Sequence, residues 1–220
     1  MKIEISLYKV SILFLSLSIL TSCSVTIPLQ SNLNDQTLLH AENRNIKANY
    51  TLVSNVPDGT IPFVAVMKNG SESENSTPHK YASETAFKNI WKSYFTNKFN
   101  NYADDEMDIV VTLKDIKLKQ LNSTSIGESL FTGNVKMNVD AFALIHVIID
   151  YNGKKYENDF EVLSSEYNES QMSRIGNTTF TRRQSNPTQQ KAKLLEGCLN
   201  RSVIQFENFL RSIMMTENDK

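Results

Sequence analysis

Apolar residues along this chain recur with two periods, and each change of period marks an element. Lys47-Ala48-Asn49-Tyr50-Thr51-Leu52-Val53 alternates as a half-buried strand does, and Pro57-Asp58-Gly59 is a turn signal before a second apolar run from Ile61 to Met67. Two strands with a tight link follow from that pattern. Pro62 cannot donate to a ladder, so it belongs at the start of its strand or on an edge. Asn69 to Thr77 is glycine, serine, glutamate and asparagine, and reads as a surface loop. Thr77-Pro78 then predicts an N-cap and a first helical turn. Tyr81, Phe87, Ile90, Trp91, Tyr94, Phe95 and Tyr102 recur at three- and four-residue steps, one aromatic stripe on a helix of about 20 residues.

Met107 to Leu121 alternates twice with a change of phase. Ile109, Val111 and Leu113 share one face, then Ile116 and Leu118 take the opposite parity, so a bulge near Lys114-Asp115 would keep both sets inward. The next strand is the longest, from about Phe131 to Asp150, and meets its partner through Asn152-Gly153. Asn-Gly between alternating runs predicts a type I′ turn, because both central positions need positive φ. The register follows: Tyr151 opposite Lys154, Ile149 opposite Tyr156, Val147 opposite Asn158, Ile145 opposite Phe160, Ala143 opposite Val162. The outer face of the second strand is charged (Lys155, Glu157, Asp159, Glu161), whereas that of the first is Phe142, Leu144, His146 and Ile148. A strand apolar on both faces lies centrally or under a cover. Either the segment before residue 47 or the loop at 166–186 covers Phe142, Leu144 and Ile148, or they form a patch for a partner.

Residues 166–186 are polar and irregular, with Arg174, Arg182 and Arg183, and a loop of that length is functional or disordered. Asn186-Pro187 ends it. A last helix runs from about Thr188 to Met215 with Leu195, Cys198, Leu199, Phe206, Phe209, Leu210 and Ile213 on one stripe and Lys191, Arg201, Glu207 and Arg211 mostly off it. The expected fold is α+β: a mixed, largely antiparallel sheet of about five strands with two long helices packed on one face.

The beginning of the chain obeys a different pattern. Lys2 and Lys9 precede a predominantly apolar run, Val10 to Leu20, whose 11 residues are too few to span a bilayer and suit a signal peptide. The run closes on Leu20-Thr21-Ser22-Cys23, which resembles the lipobox of bacterial lipoproteins, where the thiol is lipidated and the chain is cut just before it. One acyl chain holds a membrane only marginally, and the multiply acylated cysteine that the resemblance implies meets that requirement. The chain then divides into a signal peptide (1–22), the lipidated Cys23 with a tether of mixed polar and apolar residues without a period (23–46), and a single periplasmic α+β domain (47–216).

Composition adds limits. The whole-chain charge is −1, and removing Lys2, Lys9 and Glu4 with the leader leaves the rest near −2, with no basic stripe to neutralise phosphates, so nucleic acid is not an expected partner. Of the two cysteines, acylation of Cys23 leaves Cys198 without a disulfide partner, and it is expected as a buried small hydrophobe on its helix. His40, His79 and His146 are scattered, so no pair has metal-ligand spacing or stands by a nucleophile. The cluster Asp104, Asp105, Glu106 and Asp108 lacks the glycine of a calcium loop, and there is no glycine-rich phosphate loop. No catalytic residue, cofactor or metal is expected.

Behind such a box, the order strand, strand, helix, strand, long strand, strand, helix resembles the YajG-type lipoproteins and the auxiliary lipoproteins of ABC-type transport systems. That resemblance implies a small periplasmic domain without a catalytic motif. Ser24 after the cysteine, where enteric sorting places aspartate to retain a lipoprotein in the inner membrane, implies the outer membrane with the domain in the periplasm. The expected function is a non-enzymatic envelope component that binds or assembles with a protein partner. Arg174, Arg182 and Arg183 would steer that partner, and Phe142, Leu144 and Ile148 would hold it. The alternative is a carrier of a lipid or small apolar ligand in a cavity lined by Phe87, Trp91 and Phe206, and a filled core would separate the two readings.

Overall fold

The computed structural model describes residues 25–66, 71–122, 137–166, 172–175, 178–181 and 187–218. The elements are β1 (Thr26–Ile27), α1 (Asp35–His40), β2 (Lys47–Ser54), β3 (Pro62–Val66), β4 (Glu72–Ser76), β5 (Lys80–Tyr81), α2 (Ser83–Lys98), β6 (Glu106–Asn122), β7 (Met137–Tyr151), β8 (Lys154–Glu166), β9 (Met172–Ile175), β10 (Thr178–Thr181) and α3 (Pro187–Asn218). The fold is α+β, a mixed six-stranded sheet with the two long helices α2 and α3 on one face.

β6 is the spine, because its 17 residues are long enough to carry partners along both edges. β7 pairs antiparallel along one edge, and β8 follows antiparallel beyond it. The other edge is shared end to end: β2 runs parallel to Glu106–Leu113 and β3 parallel to Leu118–Leu121. The expected tight link between β2 and β3 therefore joins two strands in tandem along one edge rather than side by side. The link leaves the sheet where β6 breaks register between Leu113 and Asp115, the bulge that the change of phase predicts. Asn55 N donates to Leu113 O at 2.9 Å there, and Gly59 then bridges to Tyr81. Pro62 opens β3, where its missing N–H costs nothing.

The β7–β8 hairpin has the register read from Asn-Gly, pair for pair from Tyr151↔Lys154 to Ala143↔Val162. Asn152 (φ 54°) and Gly153 (φ 69°) both sit in the left-handed region that a type I′ turn requires.

Four expectations are corrected. The polar stretch before Thr77 is no loop throughout: Glu72–Ser76 is a wholly exposed edge strand whose backbone pairs antiparallel with β3. Thr77 does not cap a helix. It is buried, its hydroxyl accepting from Ile61 N and donating to His79 O, so α2 starts only at Ser83. In place of a capping side chain on Ala82, Asp58 accepts from Thr85 N at 3.1 Å and from the Thr85 hydroxyl. Tyr102, expected on the aromatic stripe, lies past the end of α2 and is 95% exposed. The irregular loop at 166–186 contains a small hairpin, β9 with β10.

The core lies between the inner sheet face and the two helices. Both phases of β6 reach it through the bulge, Ile109, Val111 and Leu113 before, Ile116 and Leu118 after. They meet Phe87, Ile90, Trp91, Tyr94 and Phe95 of α2 and Leu195, Leu199, Val203, Phe206 and Leu210 of α3. Trp91 and Phe206 meet edge-on at 5.2 Å, Tyr94 and Phe206 at 5.7 Å, and Tyr50 stacks on Phe95 at 4.4 Å. Each such pair adds roughly 0.5–1.5 kcal/mol beyond the area it buries. Helix α3 comes close to the sheet at Gly197, where a Cβ would stand 2.7 Å from Ser164 Oγ. Cys198 beside it is buried as expected, its thiol donating to Val162 O at 3.2 Å, and burial pushes that thiol up to about 12.

The largest departure is the segment read as a tether. From Val25 to Ile46 it is a strap laid along α3, with Leu29, Leu33, Ala41 and Ile46 buried. β1 pairs with β5 at its beginning. Gln30 N then donates to Glu196 Oε1 (2.6 Å), Asn34 N donates to Asn200 Oδ1 (2.9 Å), and His40 lies 3.3 Å from Asn208 Oδ1. Asn34 also caps α1 by accepting from Thr37 N at 2.7 Å. The partners at 196, 200 and 208 recur every four or eight residues, one face of a helix.

Candidate functional site

Two features stand apart from ordinary packing: the outer face of the sheet and a buried charge network under the strap.

The outer face follows from the alternation of β7. With Ala143, Ile145, Val147 and Ile149 turned to the helices, Phe142, Leu144, His146 and Ile148 must point outward, and all four are half-buried. The strap does not cover them, because it lies on α3, across the sheet. Flanking side chains shield them instead. β6 contributes Asp115 opposite Leu144 and Lys117 opposite Phe142, and Lys119 holds its ammonium 5.0 Å over the Phe142 ring. β8 contributes Glu161 opposite Leu144 and Leu163, 43% exposed, opposite Phe142. A groove of about 210 Å³ runs between Phe142, Leu144, Lys117, Asp115 and Glu161. It is smaller than the roughly 300–1,000 Å³ of small-molecule sites, and suits one inserted side chain better than a lipid.

Further along the row, His146 Nδ1 lies 2.9 Å and Lys114 Nζ 3.0 Å from Asp159 Oδ1, while His146 Nε2 lies 3.5 Å from Glu157. The lysine and histidine hydrogen bonds hold the Asp159 carboxyl below its ordinary value. His146 is thus tied into a surface ion cluster. Among the described residues no three histidine, cysteine or carboxylate groups converge as a metal ion would need.

The buried network was not readable in advance. Glu207 sits one position past Phe206 and was expected off the apolar stripe, yet it is fully buried. Arg44 of the strap meets it with both arms, Nη1 to Oε1 at 2.8 Å and Nη2 to Oε2 at 2.7 Å, and Tyr94 donates its hydroxyl to Oε1 at 2.5 Å. The guanidinium also lies 5.8 Å over Phe99. Burial works to lower the Arg44 pKa, but the Glu207 hydrogen bonds and the surrounding negative charge hold it above its ordinary value. Burial first, and then the Glu207 carboxylate, push the Tyr94 phenol well above its ordinary value. The three groups satisfy one another, so the network joins strap, α2 and α3 without offering a reactive group.

Of the predicted site residues, the structure brings Phe142, Leu144 and Ile148 into one row. Arg174 lies on β9, its backbone opposite Thr179. Arg182, Arg183 and Cys23 lie outside the described residues. The rings expected around a carrier cavity, Phe87, Trp91 and Phe206, are fully buried and in contact: Phe87–Trp91 at 6.2 Å adds to the Trp91–Phe206 pair. No helix among the described residues is long and apolar enough to cross a membrane.

No protein-family model matches the chain, and no curated protein does. Among solved structures, the crystal structure of protein XCC0632 from Xanthomonas campestris, of the family model DUF330, is similar over 91% of this chain and 94% of its own, at 8% identity and a TM-score of 0.44. A crystal structure described as an uncharacterized protein is similar over 86% of this chain and 99% of its own, at 10% identity and a TM-score of 0.35. Likeness of this degree carries no argument about function, which rests on the chain's own residues.

Proposed function

We propose that this protein is a non-enzymatic envelope lipoprotein, held at the outer membrane through acylated Cys23, whose periplasmic domain binds a protein partner across the outer face of its sheet. The observation that carries the reading is Leu20-Thr21-Ser22-Cys23 closing an 11-residue apolar run. Such a run is too short to stay as a span and ends on the one residue type that takes an acyl anchor. The partner half is supported by Phe142, Leu144 and Ile148, an apolar row left half-open on a sheet whose other face is filled. Arg174, Arg182 and Arg183 steer an acidic partner surface in this reading. The packed contacts of Phe87, Trp91 and Phe206 speak against a lipid held between helices and sheet.

Cells labelled with palmitate and partitioned in Triton X-114 test the anchor. The wild-type protein should carry label into the detergent phase, and Cys23→Ser should lose both label and partitioning. A Cys23→Ser protein that still enters the detergent phase refutes the reading. Crosslinking in intact cells tests the partner half: Leu144→Asp should remove adducts that the wild type forms, and an unchanged adduct set takes this face out of the interface.

A further inference from the structure

We infer that the domain docks directly against the bilayer that holds Cys23, with the β1–β5 edge and the start of α2 nearest the headgroups, rather than riding on a leash. The inference rests on the lipid-anchor reading and deepens it by fixing what the anchored domain touches. Its first support is the strap. A free segment from Cys23 to Ile46 would reach about 27 Å on average as a flexible coil. Here the slack is gone, because Thr26 and Ile27 pair with Lys80 and Tyr81 and the residues after them are fastened to α3 at Glu196, Asn200 and Glu207. Only Ser24 and Val25 separate Cys23 from β1, and three residue steps span at most about 10 Å.

The same register sets which end faces the lipid. α2 starts beside β5 and finishes where Asn100 N donates to Arg44 O at 3.1 Å, at the end of the sheet where β2 and β6 begin and the Asn152-Gly153 turn projects. Its 16 residues put those two ends about 24 Å apart. At the β1 end, Val25 is 75% exposed, one residue before Thr26, whose register partner Lys80 is also exposed. An aliphatic group with a neighbouring ammonium suits the headgroup layer, which takes both.

The test uses the full-length acylated protein reconstituted into vesicles that carry a headgroup-linked energy-transfer acceptor. A donor dye is attached at Lys80→Cys, or at Tyr102→Cys just past the far end of α2. Cys23 is acylated and Cys198 is buried, so neither competes for the dye. His79→Cys, exposed one residue earlier, gives a second near position should Lys80→Cys disturb the short pairing. Transfer from position 80 or 79 should exceed that from 102 several-fold. Inserting about 20 glycine and serine residues between Ser24 and Val25, a mean reach of about 25 Å, should lower the near signal and remove the difference. Equal, weak transfer from both ends of a protein that floats with the vesicles overturns the docking and leaves the anchor standing. A protein that does not float overturns both.

Discussion

Replacing Arg44 by methionine should unfasten the strap, and the geometry says by how much. Glu207 is fully buried and receives two guanidinium hydrogen bonds and one from Tyr94, so Arg44→Met leaves a carboxylate without solvent and with a single neutral donor. Removing one partner of a buried pair costs about 3–5 kcal/mol, a large share of the 5–15 kcal/mol that holds an ordinary domain together. With a urea dependence of about 2 kcal/mol per molar, the unfolding midpoint should fall by about 2 M. Glu207→Gln keeps an acceptor for Tyr94, so the double variant Arg44→Met/Glu207→Gln removes both charges while leaving that bond, and it should recover most of the loss. The double-mutant cycle isolates the pair, and a coupling of about 2–3 kcal/mol is expected. Hydrogen exchange localises the effect: amides of Gln30 and Asn34, which donate to α3, should lose protection in Arg44→Met. Additivity within about 0.5 kcal/mol, with those amides still protected, would mean that apolar contacts alone hold the strap.

Two further perturbations probe the contact between α3 and the sheet. Gly197→Ala gains about 1 kcal/mol of helix propensity but drives a Cβ to 2.7 Å from Ser164 Oγ, so it should destabilise the wild type and stabilise a Ser164→Ala background in urea melts; stabilisation in both would show that the serine yields freely. The Cys198 thiol is pushed up to about 12 by burial, above its unfolded value of about 8.5, so the stability it lends is whole below that value and lost as pH rises toward 12. Between about pH 8 and pH 10.5 the wild-type stability should therefore fall by up to about 2.5 kcal/mol more than that of Cys198→Ala, and parallel curves would refute the thiol's share.

What could be read from the sequence was what depends on neighbours. The Asn152-Gly153 turn fixes its own dihedrals, and one turn plus one alternation sets thirteen cross-strand pairs of β7 with β8. The bulge at Leu113/Asp115 was legible because a lost parity on an otherwise alternating strand has few causes. The strap was not. Leu29, Leu33, Ala41 and Ile46 keep no strand or helix period, and the α3 partners that fasten their neighbours Gln30, Asn34, His40 and Arg44 lie 163 to 168 residues away. Glu207 misled for a related reason: a carboxylate inside a stripe reads as surface until its arginine is found, and Arg44 gives no local sign of pairing. β4 escaped because an edge strand needs only backbone from β3, and Glu72–Ser76 offers no buried face to detect. On the candidate site, the outward row of β7 was plain in the alternation. That nothing from the strap lies over it could not be known before the strap was placed on α3.

The strap also constrains what can cover that row. In the proposed docked arrangement, with β1 and the start of α2 at the anchor, β7 begins near the membrane end and finishes at the turn, since Tyr151 adjoins the β6 start and Lys47 pairs with Glu106 there. Phe142 is then nearer the bilayer and Ile148 farther, and six strand residues separate them by about 20 Å. In that arrangement the row runs away from the lipid, flanked by Asp115, Lys117 and Lys119 on the β6 side and Glu157, Asp159 and Glu161 on the β8 side. A bilayer surface is flat and lies at one end of that row, so it cannot cover all of it. A surface that does must rise about 20 Å from the headgroups and approach from the side, offering basic groups to the acidic β8 flank and mixed charge to the β6 flank of Asp115, Lys117 and Lys119. On the proposed reading that surface belongs to a folded protein partner, and a partner face of uniform negative charge would be opposed by the β8 flank.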